Sequence, residues 1–246
     1  MSMPTGFGKT HNVLNFIYSN YQAFNAQGRK IFFVTSLKKN LPIDSLKERF
    51  VEDNKENDFN QHVLFIDSNA DTVVDHLREI DMQIPDQFKT PSYNKLKSII
   101  DTLTTRGKQI PQSVKDMMKS QIREELEPAF RRYITELLHK EFRTKKDRLS
   151  AIKTISEYQW IGKLYPSVFT DERTVFFLSM DKFIRKNTTL VERSYFFHER
   201  LIKEAVIFID EFDATKDIVL RSIIDSGIRH RVNILNLFLN IHSHLM

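Results

Sequence analysis

Four short apolar runs along the chain alternate with longer segments of helical pattern. They are residues 30–36 (KIFFVTS), 62–67 (HVLFID), 174–179 (TVFFLS) and 205–210 (AVIFID). Each run is rich in β-branched or aromatic residues and ends on a polar one, as expected of strands that are covered on both faces and gather ligands at their carboxyl ends. Because helical patterns separate the runs, the sequence predicts an α/β fold with a parallel sheet.

A different periodicity occupies the middle of the chain, where apolar residues recur at every fourth position. They are Val114, Met118, Ile122, Leu126, Phe130, Ile134, Leu138 and Phe142. This spacing predicts the packing face of a long helix, with an irregularity at Pro128.

Composition removes several classes of protein. With 246 residues, 41% of them hydrophobic, the chain can bury a sizeable core. The absence of cysteine excludes disulfide scaffolds, thiolate metal sites and cysteine nucleophiles. No apolar run reaches the roughly 18 residues that span a bilayer, so we expect no membrane partner and a cytoplasmic location. The net charge of +5 is compatible with a polyanionic partner, but ordinary basic proteins share it.

The clearest chemical motif is the opening segment, which reads MPTGFGKT over residues 3–10 and leads into a helical pattern. Glycines let backbone amides approach phosphate groups, and a helix N-terminus adds positive potential. Thr5, Gly6, Phe7 and Gly8 would form this cradle. Lys9 would reach the β- and γ-phosphates of a nucleotide. A glycine-rich helix start without a ligand is the alternative, and the strand that normally precedes such a loop is missing here.

The second motif follows the last predicted strand, where the sequence reads Asp210-Glu211-Phe212-Asp213. One carboxylate can hold Mg²⁺ together with a threonine hydroxyl, here Asp210 with Thr10. The next, Glu211, can activate the attacking water. Acidic strand ends are also common as helix caps, so this motif becomes specific only beside a phosphate loop.

Together the two motifs resemble superfamily two helicases and translocases, whose motor domains carry DEAD/DEAH-like boxes. Residues 3–10 match the first family motif except at Met3, and residues 210–213 match the second. The resemblance implies a RecA-like P-loop NTPase fold, binding of ATP and Mg²⁺, and catalytic roles for Lys9 and Glu211. The segment from residue 160 to 184 resembles bacterial helicases related to the CRISPR-associated group.

The resemblance also assigns residues at two other strand ends to the nucleic-acid backbone, either DNA or RNA. They are Thr35, Ser36, Lys38, Ser179 and Lys182. Hydroxyl groups and lysines occur at strand ends in any sheet, so an ordinary structural role is the alternative for these residues.

The distance between the motifs predicts an insertion. Lys9 and Asp210 are about 200 residues apart, whereas such motor domains need on the order of 100 residues between these motifs. We expect the motor domain in residues 1–70 and 167–246, and a helical insertion in residues 71–166. The insertion contains the densest basic stretch, residues 140–148 (KEFRTKKDR), which can either neutralise phosphates or form a solvated helix end. His242 and His244 form only a weak metal motif.

The family pattern also predicts that the chain is a fragment. A second motor domain and two central strands are missing, so the remaining strands would have to pair without their usual centre. We therefore expect the ATP-binding part of a helicase, an ATP hydrolase that is inactive or weakly active without the remaining helicase domains or a partner chain. The alternative is a non-catalytic remnant that binds nucleic acid through the insertion without ATPase activity.

Overall fold

The structure is a computed structural model that describes residues 8–229 of the chain. Within this range the strands are β1 (Ile31–Thr35), β2 (Val63–Ile66), β3 (Val175–Ser179), β4 (Lys186–Asn187), β5 (Tyr195–Phe196) and β6 (Val206–Ile209). The α-helices are α1 (Lys9–Ala26), α2 (Ile43–Glu52), α3 (Glu56–His62), α4 (Asn69–Ile80), α5 (Pro91–Arg106), α6 (Gln112–Gln121), α7 (Glu127–Glu141), α8 (Lys145–Thr154), α9 (Ser156–Leu164), α10 (Met180–Ile184), α11 (Phe197–Arg200) and α12 (Phe212–Arg229).

Four of the strands form one parallel sheet in the order β2-β3-β1-β6. Two aromatic pairs lie across β1 and β3, with ring centroids 4.9 Å apart for Phe32 and Phe176 and 5.4 Å apart for Phe33 and Phe177. Such cross-strand neighbours are the unit of sheet stabilisation. The prediction of an α/β fold with a parallel sheet is confirmed, and each predicted run contains a strand of this sheet.

Helices cover both faces of this sheet, because successive residues of a strand point to opposite sides. On one face Phe33 packs in a cluster with Ile17 of α1 and Phe50 of α2. On the other face Phe32 packs in a cluster with Met180 of α10. The result is three layers, helix, sheet and helix, in which the carboxyl ends of all four strands meet along one edge.

Helix α1 runs antiparallel to the strands. It ends at Ala26, a turn through Gly28 with φ of 67° follows, and β1 begins at Ile31. The positive φ favours glycine at this turn, because a β-carbon would make that conformation strained. Since the helix packs on the sheet directly before β1, its first residues point toward the edge at which the strands end.

The long connection between β2 and β3 holds helices α4 to α9, in the interval where the sequence predicts an insertion. These helices bury an apolar core of their own, which includes Trp160, Phe130 and Tyr93. The division into a motor domain and an inserted domain stays a prediction.

The fourfold apolar stripe lies on this core, as predicted. Its five central residues, Ile122, Leu126, Phe130, Ile134 and Leu138, are all buried. The predicted irregularity is also present, since a single π-helical turn, Ile122–Leu126, joins α6 to α7 and ends two residues before Pro128. Proline provides no N–H for the helical ladder, and a π turn is one way in which a helix accommodates such a break.

The sheet is continuous through the described part of the chain. Strand β6 pairs there with β1 alone and lies at one edge. The four strands therefore pair with each other directly, although the family pattern predicts further strands at their centre. Between residues 8 and 229, no helix is long and apolar enough to cross a membrane.

Candidate nucleotide and nucleic-acid site

The first half of the candidate site is the start of α1. Gly8 is the N-cap and has a left-handed conformation with φ of 62°, and the helix begins at Lys9. Lys9 and Thr10 are exposed, and the first N–H groups of a helix lack partners within it. A glycine in this conformation followed directly by a helix fits a phosphate cradle. The remaining cradle residues, Thr5, Gly6 and Phe7, lie outside the described residues.

The second half is the turn that follows β6. The N–H of Asp210 donates to the carbonyl of Val34 at 2.9 Å, which continues the pairing of β6 with β1 by one residue. Glu211 then adopts a left-handed conformation with φ of 52°. The Thr215 hydroxyl, which is buried, lies 3.1 Å and 3.0 Å from the carbonyl oxygens of Asp210 and Glu211. These contacts fix the direction in which the two carboxylates leave the strand.

The Glu211 carboxylate is bound by residues that follow β1. One oxygen accepts a hydrogen bond from the Ser36 hydroxyl, and the other accepts one from the Asn40 amide at 2.9 Å. Both bonds stabilise the charged form, so the Ser36 bond first and the Asn40 bond second lower the pKa of Glu211. The carboxylate is therefore ionised and held toward the end of β1.

Topology brings the two halves to the same side of the molecule. The rings of Phe16 in α1 and Phe208 in β6 lie 5.4 Å apart, so α1 packs over β6. Because α1 is antiparallel to the sheet, Lys9 lies toward the edge at which Asp210 emerges. Among residues 8–229, no three or more His, Asp or Glu side chains form a metal cluster, but Mg²⁺ usually binds through only one or two carboxylates plus substrate phosphates.

Beside the acidic turn, a cleft of about 480 Å³ opens between the strand ends and α7. It brings together four of the five residues predicted to contact nucleic acid, namely Ser36, Lys38, Ser179 and Lys182. The fifth, Thr35, is fully buried, and its hydroxyl donates to the carbonyl of Leu37 at 2.7 Å. The Thr35 side chain therefore does not reach the cleft surface in this structure.

The cleft is lined by four ion pairs and by two lysines, Lys182 and Lys186, that form no ion pair with a described residue. The pairs are Lys38 with Asp67, Arg123 with Asp71, Arg131 with Glu127, and Arg185 with Asp181. The side chain of Lys182 forms no hydrogen bond or ion pair with any described residue. Burial lowers the pKa of Lys182 to about 8, although the nearby charge of Asp67 acts in the opposite direction. An ammonium group in this environment is suited to an anionic ligand.

Two residues near the cleft escape prediction from sequence. Glu127 is 2% exposed and pairs with Arg131 at 2.7 Å, and its burial raises its pKa. Asn40 holds Glu211 but lies in a short 3₁₀ helix, where nothing in the local pattern marks it. Asp67, which pairs with Lys38 in the cleft, was not singled out either, although it is the polar residue that ends the predicted strand 62–67.

Two cations of the basic stretch, residues 140–148, have a structural role that the sequence did not indicate. Arg148 is buried, and its guanidinium donates to the carbonyls of Val191 at 2.9 Å and Phe142 at 2.8 Å. Lys145 pairs with Asp171 and Glu192. The solvated helix end does not describe Arg148, which is buried, and the phosphate contact stays a prediction for this stretch.

Comparison with known proteins does not assign the chain to a group: no protein-family model matches it, and no curated protein is significantly similar. Function is therefore inferred from the residues and their geometry. What the geometry offers is a helix start with a lysine, two carboxylates at a neighbouring strand end, and an adjoining cleft with the half-buried ammonium group of Lys182. The predicted His242 and His244 metal motif lies outside the described residues.

Proposed function

We propose that this chain is the ATP-binding part of a RecA-like motor that acts on nucleic acid, as a helicase or translocase. Lys9 and the N-terminal amides of α1 bind the nucleotide phosphates. Thr10 and Asp210 hold Mg²⁺, and Glu211 orients or activates the attacking water. Hydrolysis at a useful rate requires an arginine from a further motor domain or a partner chain, since such an arginine contributes about 10³- to 10⁵-fold to the rate.

One observation carries the nucleotide part of this proposal. The start of α1 at Gly8 and the acidic turn at Asp210, about 200 residues apart in sequence, lie toward the same edge of one parallel sheet. Ligands of open α/β sheets bind outside the carboxyl ends of the strands. The two motifs that sequence analysis pairs on chemical grounds are thus compatible with a single site.

The cleft supports the nucleic-acid part of the proposal. It adjoins the acidic turn through Ser36 and contains the ammonium group of Lys182. A phosphodiester chain across this cleft would place one phosphate near that ammonium. Contacts of this type follow the backbone and carry no sequence information.

The nucleotide part is tested by Lys9→Ala. A charge-assisted hydrogen bond contributes about 1.5–3 kcal/mol. We therefore expect the affinity for a fluorescent ATP analogue, measured in the presence of Mg²⁺, to fall by about 10- to 100-fold. Lys9 is exposed, so its truncation should leave the fold unchanged, and circular dichroism checks this directly.

The matched control is Lys146→Ala, which removes the same charge from an exposed position far along the chain. We expect nucleotide affinity to be unchanged in this variant. Equal affinities for the wild type and Lys9→Ala would refute the proposed nucleotide site.

A further inference from the structure

Ser36 lies between two sites. It donates to the Glu211 carboxylate in the acidic turn, and Ser36 also lines the cleft together with Lys38 and Lys182. Ser36 therefore contacts the candidate catalytic residue, Glu211, and also borders the candidate nucleic-acid cleft.

A serine hydroxyl carries a single O–H donor, whereas carboxylate and phosphodiester oxygens are acceptors only. Ser36 can therefore donate its proton to Glu211 or to a phosphate oxygen, but not to both. A phosphate that takes the Ser36 hydrogen bond leaves Glu211 with the Asn40 amide, at 2.9 Å, as its remaining partner from this segment.

We infer that Ser36 is a positioning residue that exchanges between Glu211 and a nucleic-acid phosphate, so that binding of nucleic acid in the cleft releases Glu211. This inference rests on the proposed function and adds a regulation to it. In the free protein both carboxylate oxygens are occupied by Ser36 and Asn40, which restrains the group that would activate water. Release would make the water-activating group available when nucleic acid is present.

If Ser36 exchanges partners, Glu211 and a nucleic-acid phosphate compete for its hydroxyl. This competition can be measured without ATP hydrolysis. Removing the carboxylate in Glu211→Ala frees the Ser36 hydroxyl, so we expect a fluorescent single-stranded oligothymidylate to bind about 5-fold tighter than to the wild type. Loss of a negative charge also favours a polyanion. The same substitution is therefore made in a Ser36→Ala background, where only this general charge effect remains.

We expect Glu211→Ala to increase oligonucleotide affinity more when Ser36 is present than in the Ser36→Ala background, at the same salt concentration. Asp213→Ala removes an equal charge from an exposed position at the start of α12 and should give only the small gain in oligonucleotide affinity seen in the Ser36→Ala background. Fluorescence anisotropy provides the affinities, and circular dichroism confirms that each variant is folded.

If Glu211→Ala increased oligonucleotide affinity equally in both backgrounds, Ser36 would not exchange between Glu211 and phosphate. The proposed function would remain intact. No binding of the oligonucleotide to any variant at low salt would overturn both the exchange and the nucleic-acid part of the proposed function. The Lys9→Ala result on ATP is independent of either outcome, so the two failures are distinguishable.

Discussion

The helical region between β2 and β3 and the carboxyl edge of the sheet use charged side chains in opposite ways. In the helical region Arg148 and Lys145 are bound by carbonyls and carboxylates of the protein itself. At the sheet edge, Lys9 is exposed and the Lys182 ammonium has no hydrogen-bond or ion-pair partner among residues 8–229. Two cations of the densest basic stretch, Arg148 and Lys145, are therefore bound within the protein, while Lys9 and Lys182 near the sheet edge are open to ligands.

The comparison also applies to apolar side chains. The helical region packs Phe130 and Trp160 in a core of its own, with ring centroids 6.1 Å apart. The sheet edge instead leaves Ile209, at the end of β6, 41% exposed. We expect substitutions in the first region to change stability, and substitutions in the second to change binding.

The largest effect is expected for Phe130→Ala in the helical core. Phe130 is fully buried between Tyr93 and Trp160, and truncating a buried phenylalanine destabilises by about 3–5 kcal/mol. Urea unfolding measures this loss. Trp160 is the single tryptophan of the chain, so its fluorescence reports on this core while circular dichroism reports on the whole fold.

Met117→Ala is the control, because Met117 is 65% exposed in the same region, and surface substitutions usually stay within about 0.5 kcal/mol. ATP affinity should be unchanged in both variants under native conditions. A loss of ATP affinity in folded Phe130→Ala would show that the two regions are not separable in the way the comparison states.

Local pattern predicted the sheet well because each strand is a short run buried on both faces, and such runs differ from the amphipathic helices around them. It also placed Gly8 at the start of a helix, and glycine tolerates the positive φ that the chain adopts there. It did not predict that Ser36 would bind Glu211, since these residues are 175 positions apart. The role of Arg148 depends likewise on Val191, 43 positions away, and sequence alone shows only that Arg148 is charged.

The second prediction concerns Arg148→Ala. This change leaves the carbonyls of Val191 and Phe142 without their donor in a buried place, which destabilises by about 2–3 kcal/mol. Urea unfolding measures the change, and Lys146→Ala, at an exposed neighbouring position, should have almost no effect.

Oligonucleotide binding separates this structural role from the phosphate contact that sequence alone allowed. We expect folded Arg148→Ala to bind a single-stranded oligonucleotide with wild-type affinity and salt dependence. If the slope of log affinity against log salt concentration instead fell by about one, the value expected for one phosphate contact, Arg148 would lie on the phosphate backbone.

We expect the smallest change in stability for Lys182→Met. This variant tests the contrast between the helical region and the sheet edge most closely. Burial lowers the pKa of Lys182 from 10.5 to about 8, so the charged ammonium destabilises the folded protein at neutral pH. After allowance for its partial exposure, we expect the methionine variant to be more stable by about 1–2 kcal/mol at pH 7.

The pH dependence of this gain has a definite sign. Below pH 8 the lysine is protonated in both the folded and the unfolded chain, and the full penalty of burial is present. Between pH 8 and 10.5 the folded protein loses the proton first, so wild-type stability rises with pH and the advantage of the variant shrinks. A gain that stays constant over this interval would contradict the assigned pKa.

Binding should move in the opposite direction from stability. If the Lys182 ammonium is held ready for a phosphate group, the more stable Lys182→Met variant should bind a single-stranded oligonucleotide more weakly. Lys186→Met, which removes an exposed charge from the same cleft, should weaken binding without stabilising the fold. If Lys182→Met bound the oligonucleotide as tightly as the wild type, Lys182 would be a structural charge like Arg148. The contrast between the two regions would then not extend to the cleft.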